Sequence, residues 1–157
     1  MNKLKEITTA ITHAGNFHTD DVISTAFIRF FNPDVKIIRV NAYEDTPKED
    51  EIVYDIGLGK FDHHQEVRRV DENGIPYCAF GLLWEEYGRD YLQELHFTNI
   101  EAAFNKFKEM YVTKINIGDN TGYVNVEDFL ENYLIIKCNL LWFEKKDQQD
   151  NNKQFMK

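Results

Sequence analysis

The stretch from residue 7 to residue 21 reads Ile7-Thr8-Thr9-Ala10-Ile11-Thr12-His13-Ala14-Gly15-Asn16-Phe17-His18-Thr19-Asp20-Asp21. Its first six residues are compact and largely β-branched, the composition of a buried strand, and Ala14-Gly15-Asn16 supplies a glycine-containing turn. Thr19 or Asp20 then stands where a helix cap is wanted. Behind it Val22, Ile23, Ala26, Phe27 and Phe30 recur at three-to-four spacing, which predicts a helix that Asn32-Pro33-Asp34 ends. Val35-Lys36-Ile37-Ile38-Arg39-Val40 reads as a second strand. The acidic, proline-containing segment from Tyr43 to Glu51 reads as a loop, and Ile52-Val53-Tyr54-Asp55-Ile56 as a third strand before a glycine turn at Gly57 to Gly59. Strand, helix, strand, strand is the rhythm of a βαβ unit, so an α/β fold with a mostly parallel sheet and flanking helices is expected. In such sheets ligands gather beyond the carboxyl ends of the strands.

Further on, Ala79 to Leu95, Asn99 to Ile117 and Val126 to Phe143 each carry apolar residues at helical spacing, which predicts three helices and a helical C-terminal half. The segment from Glu144 to Lys157 is rich in Asp, Asn, Gln and Lys and reads as a polar tail. The expected organisation is one domain over residues 1–143 and a tail over 144–157.

Composition narrows the function. The 157 residues include 12 Phe, 8 Tyr and 2 Trp, enough apolar area for a core. With 18 Lys and Arg against 27 Asp and Glu the formal charge is −9, which argues against a broad basic face for nucleic acid. A phosphate-bearing ligand would need positive charge from elsewhere, and bound metal ions are the natural source. Cys78 and Cys138 have no C-x-x-C spacing, so neither a disulfide framework nor a thiolate zinc site is indicated. No apolar run is long enough to cross a bilayer and no leader is recognisable, so a cytoplasmic protein is expected.

The chemistry concentrates on histidine. Four of the five histidines, His13, His18, His63 and His64, fall at or just beyond predicted strand ends with carboxylates beside them; only His96 lies elsewhere. His13, His18 and Asp20 occupy the turn after the first strand. Asp55 ends the third, Phe61-Asp62-His63-His64-Gln65 follows it, and Asp119 lies in Gly118-Asp119-Asn120-Thr121-Gly122, read as a segment following a helix. Each has an ordinary explanation too: a strand-end histidine, a helix cap for Asp20, turn amides satisfied by Asp55, common turn chemistry at Asp119. Asp62-His63-His64 is the hardest to explain by packing. In a parallel sheet these segments converge, with more ligands than one ion takes. Two divalent ions about 3.5–4 Å apart would use them all and generate a nucleophile for in-line attack at phosphorus. Imidazole with carboxylate suits Mn, Fe, Zn or Mg-type ions.

Taken in order, His13-Ala-Gly-Asn-Phe-His18-Thr-Asp20, Asp55-Ile-Gly, Phe61-Asp62-His63-His64-Gln65, Phe80-Gly81-Leu82-Leu83-Trp84 and Asp119-Asn120 resemble the MYG-type nuclease family, which is similar in its motifs to the DHH phosphoesterases. The resemblance runs from about residue 8 to residue 143. It implies a DHH-phosphoesterase-like N-terminal domain. It also implies two metals, one held by His13, His18 and Asp55, the other by Asp20, Asp55, His63 and Asp119, with Asp55 as the bridge. His64 would face the substrate and stabilise phosphoryl oxygens, and Asp62 would orient the neighbouring histidine, so these two are the expected catalytic residues. DHH enzymes generally carry an aspartate where His18 stands. That extra neutral ligand shifts the expected metal to Mn2+, with Mg2+ or Zn2+ as alternatives.

The expected activity is that of a metal-dependent, nuclease-like phosphoesterase, with hydroxide attack on a phosphodiester of a nucleotide or short nucleic acid. Family members continue past the point where this chain stops, so it corresponds to their N-terminal portion or to a short form, without most of a second, substrate-gripping region. The alternative is therefore a metal-binding interaction module without turnover. The aromatic last helix, with Leu134, Ile135, Leu140, Leu141, Trp142 and Phe143, would then serve a partner chain, including a second copy of this one. Hydrolysis of a bond other than a phosphoester ranks last.

Overall fold

The computed structural model describes residues 2–122, all within one compact unit, Met1–Tyr123. Strand β1 is Thr9–His13, helix α1 Thr19–Phe31, strand β2 Lys36–Val40 and strand β3 Glu51–Val53. Helix α2 is Ala79–Glu94 and α3 Ile100–Phe107; a π-helical turn, Lys108–Val112, joins α3 to α4, Thr113–Thr121. The expected helix over 126–143, Cys138, the tail over 144–157 and the proposed oligomer surface lie outside the described residues.

The sheet has three parallel strands in the order β2-β1-β3, so the first strand is central, and its partners run from Thr9 opposite Lys36 to His13 opposite Val40. β3 pairs over a shorter span, Thr9 with Glu51 to Ile11 with Val53. The fold is thus α/β with a small parallel sheet and flanking helices. β3 is shorter than the expected 52–56 because Asp55 takes a left-handed backbone conformation, φ 56°, which no strand accommodates. Tyr54 still bridges to Phe61 in parallel, and the Asp55 amide donates to the Phe61 carbonyl at 3.0 Å, so the chain doubles back on itself there.

Two further expectations are corrected. Helix α1 begins at Thr19 with His18 as its cap residue, so neither Thr19 nor Asp20 caps it; Asp20 lies inside its first turn. Asp119 does not follow a helix but sits in the last turn of α4, which Gly122 ends at φ 68°. Helix α1 is also buried nearly all round, and of its expected apolar stripe Phe30 is 39 % exposed, resting on Tyr91 with ring centroids 4.5 Å apart.

Trp84, fully buried on α2, centres the helical layer, stacked on Phe107 and Phe104 at centroid distances of 4.4 and 5.3 Å and close to Phe27 on α1. Where α2 passes α4 there is no room for a side chain. A Cβ at Gly81 would collide with the buried Asn116 amide, whose Oδ1 accepts from the Cys78 amide at 3.0 Å. That contact fixes the height of α4, and with it Asp119, against the start of α2.

Candidate metal centre

His13 is the last residue of β1, and a turn with Gly15 at φ 91° brings the chain to His18 and α1. The two imidazole rings lie 5.5 Å apart. Asp21, the third residue of α1, accepts the His18 backbone N–H on Oδ2 at 2.7 Å, a reciprocal cap that holds the turn shut. The same Oδ2 lies 3.1 Å from His13 Nε2, and so does Asp55 Oδ2.

His13 Nδ1 is 2.9 Å from the Ala14 carbonyl, an acceptor, so Nδ1 carries the hydrogen. In a neutral ring Nε2 would then aim its lone pair at two buried carboxylate oxygens. Neither oxygen makes a well-directed hydrogen bond with it. Either a proton or a metal cation must sit there. Without metal the proton wins: Asp21 first, then Asp55, push the His13 pKa up to about 10.

Beyond Asp55 the chain folds into a turn built on Asp62. The Asp62 carboxylate accepts the backbone N–H groups of Leu58 at 2.7 Å and His63 at 2.8 Å, and lies 2.6 Å from His64 Nδ1. Burial alone would raise its pKa; the His64 and backbone hydrogen bonds outweigh that and hold the carboxyl below its usual range. Arg69 braces the turn from outside, donating to the Asp62 carbonyl at 2.7 Å. His64 is consequently fixed at Nδ1 while its side chain is 57 % exposed, with its ring stacked 4.1 Å from that of His63.

His63 points inward between carboxylates. Nε2 is 3.0 Å from Asp119 Oδ2, and Nδ1 is 3.4 Å from Asp55 Oδ1 and 3.8 Å from Asp20 Oδ2. Burial pulls its pKa down, but Asp119 and the charges of Asp20 and Asp55 outweigh that and raise it. Asp119 is placed by its neighbour: the Asn120 amide donates to the carbonyls of Asn116, Pro76 and Tyr77 and accepts from Arg68. Asp20, fully buried, turns its two oxygens to the Ala79 and Phe80 amides at the start of α2, at 3.1 and 2.7 Å. Burial, then the charges of Asp55 and Asp119, push its pKa up to about 8.

These donors fall into three sets, each with ligand atoms within 4.8 Å of one another: His13, His18, Asp21 and Asp55; Asp55, Asp62, His63 and His64; and Asp20, His63 and Asp119. All eight residues singled out in the sequence are thus brought to one place, and Asp55 and His63 link the sets. Three details differ from the expected grouping: Asp62 and His64, expected as catalytic residues, form a set of their own with Asp55 and His63. Asp55 is not in the set with Asp20 and Asp119, and Asp21, which the sequence reading passed over, joins His13 and His18. The signal for Asp21 was its position three residues after His18, where a carboxylate closes a helix start. Asn41 and Ile56 complete the walls of the cleft, about 470 Å³ in volume.

Imidazole and carboxylate donors, buried and without a hydrogen-bond partner among the described residues at His13 Nε2, His63 Nδ1 and Asp55 Oδ1, are the donor set that could hold divalent metal. The site thus defines an α/β protein with a candidate metal centre at the carboxyl ends of a parallel sheet. Residues 9–157 match the sequence pattern described as "Uncharacterised protein family (UPF0160)" and labelled MYG1_exonuc, and the chain belongs to that family. It is 25 % identical to a MYG1 protein of Dictyostelium discoideum over 95 % of this chain and 52 % of that protein. It is 26 % identical to a MYG1 protein of Saccharomyces cerevisiae over 69 % of this chain and 36 % of that protein. The chain therefore spans about half the length of the first relative and about a third of the second. No solved structure matches it significantly. Among the described residues no helix is long and apolar enough to cross a membrane.

Proposed function

We propose that this chain carries the metal centre of a phosphodiester hydrolase acting on a nucleotide or short nucleic acid. The observation that supports this most is the meeting, in one cleft, of His13 and His18, Asp55, His63 with His64, and Asp119 from segments widely separated in the chain. The family label, which points to an exonuclease, agrees with it. His13, His18, Asp21 and Asp55 would hold one divalent ion and Asp20, His63 and Asp119 a second; Asp55 Oδ1 lies 3.4 Å from His63 Nδ1, between the two sets. Such a pair, when bound, turns water into a nucleophile at neutral pH and neutralises charge on the phosphoryl oxygens.

The residues do the rest. The buried carboxylates alone would repel a phosphodiester, so substrate binding and metal loading are coupled. His64, held by Asp62 at Nδ1 and with its side chain 57 % exposed, would meet a phosphoryl oxygen through Nε2. Asp62 keeps that ring oriented. Mn2+ is the expected ion because two or more neutral imidazoles share the site with the carboxylates.

Metal analysis of the purified chain, combined with hydrolysis of bis-p-nitrophenyl phosphate in Mn2+, tests this. The expected result is close to two ions per chain and turnover abolished by EDTA. An Asp55→Ala variant that keeps both ions would refute the ligand set, and a metal-loaded chain without turnover on any phosphodiester would refute the hydrolase reading.

A further inference from the structure

Arg39 is the one basic residue of β2 whose side chain turns into the molecule beside the metal centre, with 9 % of it exposed. Its guanidinium lies 3.7 Å above the Phe17 ring, and Nη1 donates to Asp21 Oδ1 at 3.4 Å. Nε and Nη2 are buried and make no hydrogen bond among the described residues. A buried arginine with two idle donors is costly to keep, and the fold keeps it against a carboxylate that the helix cap already satisfies on its other oxygen.

The geometry explains why. Asp21 has one oxygen, Oδ2, that faces His13 and the Asp55 side of the cleft, and one, Oδ1, that faces away. Without Arg39 the carboxylate would be held, among the described residues, chiefly through Oδ2 by the His18 amide, and could pivot about that bond. Arg39 occupies Oδ1 from behind, and Phe17, in the same turn as His18, prevents the guanidinium from swinging aside. We propose that Arg39 is a positioning residue that, stacked on Phe17, holds Asp21 as the fourth donor of the set formed by His13, His18 and Asp55. It offsets one negative charge of that set without entering the cleft. The role rests on the metal reading given above, but not on hydrolysis.

The test is Mn2+ binding to the full chain by isothermal titration calorimetry, with the wild type beside Arg39→Met, Arg39→Lys, Phe17→Leu and Asp21→Asn. Arg39→Met is expected to weaken the affected site by about 10- to 100-fold. Arg39→Lys, which keeps the charge but loses the planar fork and the stack, should recover part of the loss. Phe17→Leu, which leaves the cation in place, should lose less than Arg39→Met. Because Arg39 acts through Asp21, the double variant Arg39→Met with Asp21→Asn should bind no more weakly than Asp21→Asn alone. Wild-type affinity in Arg39→Met, or losses that simply multiply in the double variant, would overturn the proposal while leaving the metal centre standing. If Arg39→Met does not fold, Arg39→Lys and Phe17→Leu decide, and wild-type affinity in both overturns it. A wild type that binds no Mn2+ overturns the metal reading and this role together.

Discussion

Asp20, in the first turn of α1, accepts the backbone N–H of Phe80 at 2.7 Å, and Phe80 belongs to a different helix, α2. Together with the Ala79 amide at 3.1 Å, the carboxylate caps a helix to which it does not belong, while Cys78, the residue in the cap position, makes no side-chain cap of its own. Replacing Asp20 with Ala therefore removes a cap as well as a candidate ligand. Because burial raises the Asp20 pKa, the comparison belongs near pH 4, where the metal-free variant is expected to lose about 1 kcal/mol of stability, measured by urea unfolding. An unchanged midpoint would show that α2 does not depend on this carboxylate.

The metal-free protein should become less stable as the pH rises. The Asp20 pKa is raised from 3.8 to about 8, so between those values the folded state holds a proton the unfolded chain has released, and stability falls with pH. The His13 pKa is raised from 6.5 to about 10, so its contribution is complete below 6.5 and is lost as the pH climbs through 10. Both slopes have the same sign. Thermal unfolding followed by circular dichroism from pH 5 to pH 9 in EDTA should show a falling Tm, and added Mn2+ should reverse the trend while releasing protons. A Tm that rises over this range without metal contradicts the assigned shifts.

His64→Ala separates the role of the exposed histidine from metal binding. It should lower kcat on a phosphodiester by about 100- to 1,000-fold, the usual effect of losing one charge-stabilising donor. Metal content should stay at the wild-type value. Loss of metal in step with activity would make His64 a ligand instead.

Gly81→Ala is expected to be more damaging than its one methyl group suggests, because the new Cβ would strike the Asn116 amide. The backbone of α2 must retreat or Asn116 must leave the Cys78 amide, at a cost of about 1–3 kcal/mol. Asp119, on the same helix as Asn116, should move with it. Chemical denaturation and Mn2+ affinity measured on the same preparation would show both losses; a variant as stable as the wild type would mean that α4 slides without penalty.

The strands and helices around the centre were legible because their signals are local: β-branched runs at residues 7–12 and 35–40, apolar spacing from Val22 to Phe27, and from Ala79 to Leu92. The convergence of the acidic and histidine segments was legible too, since a parallel sheet gathers its strand ends on one side. Partners were less accessible. Asp20 looked like a cap for its own helix, and nothing in the linear order says that the amides of Ala79 and Phe80 will come to it. Asp21 was overlooked because at the start of a helix a second acidic residue is ordinary. The extent of α4 around Asp119 was missed because Gly118, Asn120 and Gly122 carry turn-like composition, while buried Asn116 and the tethered Asn120 keep the helix wound.

The backbone at Asp55 adds a constraint of a different kind. A left-handed conformation is comfortable for glycine, asparagine and aspartate and for few other residues, while a donor shared between His13 and His63 calls for a negative side chain. Only one amino acid satisfies both demands. Lengthening it to glutamate keeps the charge but strains the main chain, and asparagine or glycine relaxes the main chain but forfeits the charge. At this position neutral drift has almost nowhere to go.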